Sequence, residues 1–144
     1  MTTETQTDRN KAVVKRYIEE CINKGNMDLV DEIFVPSRVE LVKSFHTHDD
    51  GGEGPFPDGL EEIKDLVAEG NKVMARWIFR ATHTGEFWGI PATGKRIELM
   101  GYAVYYFENG LIAWDTMSMA WADAFEQMGA TITPPHANAE PAQP

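Results

Sequence analysis

Residues 96–121 read RIELMGYAVYYFENGLIAWDTMSMAW, and the fold turns on how this stretch is taken. Two runs rich in β-branched and aromatic residues flank Glu108-Asn109-Gly110, a turn signal between strands. The spacing predicts a strand over 96–107, a type I turn closing with Gly110 in a bulge, and a partner strand over 111–121. Upstream, Val73, Ala75, Trp77, Phe79 and Ala81 alternate with Met74, Arg76, Ile78, Arg80 and Thr82. That is a third long strand, 72–82, with one apolar and one mixed face. A loop over 85–94 joins it to the hairpin, and a short helix over 122–128 ends at Gly129.

Toward the N-terminus the period changes. After a polar segment, 1–8, expected to fray, Val13, Val14, Tyr17, Ile18, Cys21 and Ile22 recur at threes and fours. They predict an amphipathic helix over 9–23, ended by Gly25. A shorter helix follows from 27 or 28 to 34, stopped by Pro36. Val39, Leu41, Lys43 and Phe45 then alternate with Glu40, Val42 and Ser44, which predicts a strand, imperfect on one face. Residues 46–55, HTHDDGGEGP, are a polar, glycine-rich loop. Residues 60–70 admit two readings: Leu60, Ile63 and Leu66/Val67 suit a helix, while the propensities also allow a strand. Helices followed by a meandering antiparallel sheet make an α+β fold. One domain spans 1–130, and the Pro/Ala-rich 131–144 reads as a flexible tail.

The 144 residues carry 13 Lys and Arg against 23 Asp and Glu, a net charge of −10. That balance argues against binding nucleic acid or an anionic membrane surface through bulk electrostatics. The lone Cys21 forms no internal disulfide and reads as a buried, inert thiol. No apolar run approaches the ~18–20 residues that cross a bilayer, and no secretory signal is visible; the expectation is a cytoplasmic protein. Phosphate-loop and dinucleotide fingerprints are absent, and Gly51-Gly52-Glu53-Gly54 is better read as a flexible loop. His46 and His48, beside Asp49 and Asp50, would need a third ligand and a supporting shell to hold a metal. Only His83 and scattered acids are on offer, so neither a metal nor another cofactor is expected.

The run Thr82-His83-Thr84-Gly85-Glu86-Phe87-Trp88-Gly89-Ile90-Pro91-Ala92-Thr93-Gly94-Lys95-Arg96 is family-like. So are Phe107-Glu108-Asn109-Gly110-Leu111-Ile112 and Phe125-Glu126-Gln127-Met128-Gly129. Together they resemble the SnoaL-like polyketide cyclases, within the nuclear-transport-factor-two-like superfamily, from the first helix to Gly129. The resemblance implies a curved antiparallel sheet wrapped into a cone around a deep pocket, closed on one side by helices. It also implies a homodimer, and ring closure on polyketide intermediates, with relatives that hydroxylate or open epoxides. The superfamily hosts many chemistries, so fold alone does not decide function.

Two departures stand out. Relatives carry a further helix of ~10–15 residues, an ordinary length, ahead of the segment matching Phe56-Pro57-Asp58. Here Gly54-Pro55 runs almost directly into it, so either a pocket-covering helix is lost or residues are missing at this point. The resemblance also makes 60–67 a strand. Second, aldol-type cyclases place a His and an Asp on the two long C-terminal strands. Counted from Asn109-Gly110, those positions fall on Ala103 and Met117, and neither side chain transfers a proton.

If positions 103 and 117 face the pocket, a period of two puts Gly101, Tyr105, Asp115 and Met119 on the same face. Asp115 lies in a stretch poor in charge. A carboxylate against an apolar wall has its pKa raised and becomes a candidate general acid or base, although structural acids of this kind are commoner. Tyr105, with Tyr102 and Tyr106 alternating beside it, offers a phenol able to polarise a carbonyl or stabilise an enolate; core packing is the plainer role. Tyr17 is the comparable residue on the helical side. Trp77, Phe79, His83, Phe87 and Trp88 complete the expected lining with Gly101, Ala103, Met117 and Met119. Such a lining suits a hydrophobic polyketide-like molecule held folded. Confinement alone reaches effective molarities of about 10⁵–10⁸ M, and an intramolecular cycloaddition requires no proton transfer by the enzyme. The expected function is therefore a cyclase acting by conformational templating, with Asp115 and Tyr105 assisting. An epoxide-opening cyclase, hydrolase or hydroxylase using Asp115, and a non-catalytic carrier of a hydrophobic metabolite, are the alternatives.

Overall fold

The first helix starts before its apolar stripe does. In a computed structural model, which describes residues 3–46 and 54–135, Thr5 and Asp8 form a reciprocal cap. Thr5 Oγ1 accepts from the Asp8 N–H at 3.1 Å, and Asp8 Oδ2 from the Thr5 N–H at 3.0 Å. Two otherwise orphaned donors are satisfied, so α1 runs Gln6–Arg16 and its first turn is capped where fraying was expected. It passes directly into a π-helical segment, Tyr17–Ile22, in which the Asn23 N–H reaches the Ile18 carbonyl at 2.9 Å. Tyr17, Ile18 and Cys21 are buried there, and burial pushes the Cys21 thiol above its ordinary range. The next helix is a 3₁₀ turn, Met27–Leu29, continued by α2, Val30–Ile33.

The segment expected as a strand is instead helix α3, Pro36–His46. Pro36 does not only stop α2; it is also the first residue of α3, where its fixed φ and missing N–H are tolerated. The buried residues are Val39 and Val42, three apart, whereas Leu41 and Phe45 of the alternating set are exposed. The alternation was a coincidence of composition. α3 is a helix of 11 residues ahead of Phe56-Pro57-Asp58; residues 47–53 between them lie outside the described residues.

Four strands follow: β1 Leu60–Glu69, β2 Lys72–Thr82, β3 Arg96–Glu108 and β4 Leu111–Met119. They form an antiparallel meander in the order β1-β2-β3-β4, curved and unclosed. The ambiguity of 60–70 has a physical cause. Ile63 pairs with Trp77 and Asp65 with Arg76, so Lys64 is an extra residue in a β-bulge. Ile63 and Leu66 therefore share the inner face three apart, a spacing that imitates a helix.

At the β3–β4 hairpin the bulge is not in the turn. Glu108 pairs with Leu111 across Asn109 and Gly110, both left-handed (φ 49° and 81°), a two-residue turn of the primed kind. The surplus residue is Ala113, since Tyr106 pairs with Trp114 and Phe107 with Ile112. Helix α4, Trp121–Gln127, ends the regular structure; residues 131–135 are exposed without it, and the rest of the expected tail lies outside the described residues. One core cluster fills the space between the helices and the inner sheet face. A second, around Ala81, Ile97, Leu99, Ala124 and Met128, lies under α4. No helix among the described residues is long and apolar enough to cross a membrane.

Candidate active site

Antiparallel register arranges the inner face in rows. Ile63, Trp77, Gly101 and Met119 form one; Leu66, Ala75, Ala103 and Met117 the next; Ala68, Val73, Tyr105 and Asp115 the third. Six of the residues singled out on β3 and β4 thus share one face. In the first row the absence of a side chain at Gly101 makes room for the Trp77 indole: a Cβ there would lie 2.5 Å from Trp77 Nε1. Trp77 is buried, and its N–H has no acceptor among the described residues. In the second row Ala103 is buried and Met117, on the last strand, is 62% exposed.

The third row carries the polar groups. Tyr105 is buried and meets Tyr17 edge-on, ring centroids 6.2 Å apart, while Tyr17 packs on Phe34 at 4.9 Å. Burial first, then the neighbouring acids and phenols, pushes both hydroxyls well above the ordinary phenol range. They are neutral hydrogen-bonding groups at any physiological pH. The Tyr17 hydroxyl bonds His46 Nε2 at 3.0 Å, so this histidine serves the end of α3 facing the site. Its expected companions His48, Asp49 and Asp50 lie outside the described residues. No cluster of three metal-ligating side chains occurs among the described residues.

Asp115 is not set against a bare apolar wall. Arg38, on α3, reaches its Oδ1 at 3.1 Å, with both side chains largely shielded from solvent. The same guanidinium stands over the Trp114 ring, 5.1 Å from the centroid, and its Nε is buried without an acceptor among the described residues. The pair ties α3 to β4 and presents a cation beside the carboxylate. Arg38 escaped the sequence reading because its segment was taken for a strand.

Glu61 was missed as well. On β1 it lies across from Phe79, in the row beyond Trp77, and faces inward with Ile63. Once 60–69 is taken as a strand, the period of two from Ile63 would have placed it there. Desolvation pushes its carboxyl up to about 7, and Oε2 is buried with no partner among the described residues. The backbone at Glu61 is held from both sides by the Asn23 carboxamide, each bond 2.8 Å.

The remaining predicted lining residues lie toward the other end of the sheet. His83 is buried just after β2, and its Nδ1 accepts from the Thr93 N–H at 3.3 Å and meets Thr93 Oγ1 at 2.9 Å. With Nδ1 accepting, the ring proton sits on Nε2, which is buried without a partner among the described residues. Phe87 packs among Phe56, Trp121 and Phe125. Trp88 is 81% exposed at the tip of a tight hairpin in which Phe87 and Ile90 exchange both backbone bonds. Phe79 joins the two ends, packing on the first cluster and on Phe56. A surface recess of about 650 Å³ among the described residues lies away from these rows, between α1 and the hairpin turns at Asn71 and Asn109. A smaller one, about 380 Å³, lies between the π-helical segment and β1 and is lined in part by Asn23, Glu61 and Ile63.

The family model for SnoaL-like polyketide cyclases matches residues 12–128. Solved structures with the same fold include TsrD from Streptomyces laurentii, 22% identical, with a TM-score of 0.75 over 89% of this chain and 100% of that one. A candidate SnoaL-like polyketide cyclase from Jannaschia sp. CCS1 is 15% identical, with a TM-score of 0.76 over 92% and 99%. IdmH, a candidate polyketide cyclase from Streptomyces antibioticus, is 21% identical, with a TM-score of 0.70 over 84% and 99%. Identities this low speak for the fold alone. No curated protein sequence matches the chain. By the extent of the family match, the chain belongs to the SnoaL-like polyketide cyclase family.

Proposed function

Starting from that membership, we propose that the protein closes a ring on a polyketide-type intermediate held folded against the inner face of its sheet. The reaction is conformational templating, in its simplest form an intramolecular cycloaddition, and not aldol chemistry by a His/Asp pair. One observation carries this reading: the positions that resemblance assigns to that pair are the cross-strand neighbours Ala103 and Met117, neither of which can accept or release a proton. The surrounding rows supply what a template needs instead. Trp77, Phe79, Met119 and Met117 offer apolar surface, and Tyr17 and Tyr105 offer neutral phenols to fix a carbonyl oxygen. Asp115, with Arg38 beside it, orients a polar end of the ligand. A cycloaddition redistributes electrons within the substrate and consumes no cofactor. The reaction is assigned to the cytoplasm.

The working unit in this reading is a homodimer joined through the outer sheet face. Met74, Met100, Tyr102 and Trp114 are exposed there, an apolar set that a second copy would cover. Light scattering showing a monomer at working concentration overturns that part.

The test of function is removal of the gene from its native producer, with mass spectrometry of the metabolites. Accumulation of an uncyclised isomer of unchanged mass is expected. A product lacking oxygen or the elements of water would instead indicate hydroxylation or epoxide opening. An unchanged profile would point to a carrier.

A further inference from the structure

The inner face holds a carboxyl group that the family resemblance does not assign. Glu61 projects from β1 beside the Trp77 row, and its Oε2 is one of three buried side-chain atoms in this half of the molecule that lack a partner among the described residues. The others are Trp77 Nε1 and Arg38 Nε. A buried polar atom left unpaired costs stability, and native proteins tolerate few. Of the three, Glu61 Oε2 is the one whose residue also lines a recess. The backbone carrying Glu61 is pinned by two bonds to Asn23, so the carboxyl is held in place rather than left to turn outward. Together with Asn23 and Ile63 it lines the recess of about 380 Å³ between the π-helical segment and β1, which gives a ligand a way to reach it.

Burial explains the form the group takes. Tyr17 from the helical side and Tyr105 from β3 both feel its charge, and both also feel that of Asp115 on β4. Arg38 of α3 is paired with Asp115. Glu19 and Glu62 share the recess; Arg80 there is engaged by Glu62 and Glu98, and Arg96 by Asp58. The two arginines of the recess are thus paired with other acids. The carboxyl is protonated below about pH 7, and in that form it is a donor.

We propose that Glu61 is a catalytic residue: its neutral carboxyl donates a hydrogen bond to a carbonyl oxygen of the folded intermediate, drawing electron density from the conjugated carbons as the ring closes. The proton stays on Glu61, so no base is required and none is missing. Trp77 Nε1–H is a second donor in the adjacent row. This role rests on the cyclase reading above and adds to it the residue that activates the substrate.

The test uses the full-length protein and the uncyclised intermediate isolated from the gene-deletion strain. Glu61→Ala is expected to lower turnover by about 10²–10³-fold, the usual effect of removing one donor to a developing charge. Glu61→Gln, which keeps an N–H donor, should stay within about tenfold of wild type. Wild-type turnover should fall as pH rises through about 7, while Glu61→Gln shows no such step. A ¹³C-carboxyl resonance assigned by its absence in Glu61→Gln should titrate near the same pH. Full turnover by a folded Glu61→Ala variant, or a wild-type rate level from pH 5 to 9, overturns the role of Glu61 and leaves the cyclase reading standing. A wild-type protein inert toward the intermediate overturns the cyclase reading, and this role with it.

Discussion

The two ends of the inner face treat buried polarity in opposite ways. At the end shared by Tyr17, Glu61, Trp77 and Tyr105, three buried polar atoms have no partner among the described residues, and the space around them is closed by α1, the π-helical segment and α3. At the α4 end, polar groups are used as fasteners. Asp58 accepts from the Thr82 N–H and hydroxyl, both at 2.6 Å, and from Arg96 at 3.1 Å. His83 locks the 85–94 loop through Thr93. The first end leaves three buried polar atoms without a protein partner; the second leaves one, His83 Nε2, beside groups that are otherwise bonded. That contrast is why the proposed chemistry is sought at the first end, even though the second holds more aromatic surface.

Substitutions can break the contrast or sharpen it. The largest effect is expected at Glu61. Its pKa is about 7 in the folded chain against an ordinary 4.5, so between these values the unfolded chain binds fewer protons and stability falls as pH rises. Wild type should lose about 3 kcal/mol between pH 4.5 and 8, and Glu61→Gln should stay nearly level; denaturant titrations at several pH values measure both. Next is Gly101→Ala. The added Cβ must displace the Trp77 indole, an overpacking cost of about 2 kcal/mol, read as a lowered melting temperature with a shift in tryptophan emission. At the fastened end the sign reverses from that of Glu61. His83→Ala should destabilise by about 1–2 kcal/mol through the unpaired Thr93 groups, with hydrogen exchange quickening across 85–94. Smallest is Trp88→Gly, where an exposed side chain in the left-handed region (φ 49°) is removed. Stability should change by no more than about 0.5 kcal/mol. A large loss there would show that the aromatic end is built from its tip inward.

The sequence made the β2–β4 sheet legible because its signals are periodic and local: the alternation of 72–82, the Asn109-Gly110 turn, the family-like run at 82–96. The shared face of Gly101, Ala103, Tyr105, Asp115, Met117 and Met119 followed from parity alone. Two things hid the rest. In 36–46 several apolar residues happen to alternate, and only tertiary burial of Val39 and Val42 decides for a helix; with the helix went Arg38, the partner of Asp115. In 60–69 the bulge at Lys64 broke the strand rhythm, and with it the position of Glu61. Residue type grouped His83, Phe87 and Trp88 with the expected lining, and the β2–β3 connection carries them to the α4 end of the sheet.

Lys64 itself touches nothing in the site; its ammonium pairs with exposed Glu62. Yet it acts on the strand as an inserted letter acts on a reading frame. Because it is bulged out of the pairing, the residues before it keep an inner face that unbroken alternation would have turned to water. Were Lys64 paired in regular alternation instead of bulged out, Leu60 and Glu62 would turn inward and Glu61 would turn to solvent. In this chain the chemistry of a surface depends on whether one residue is paired or passed over: deleting Lys64 would leave Glu61 inside, whereas drawing it into the ladder would turn Glu61 out.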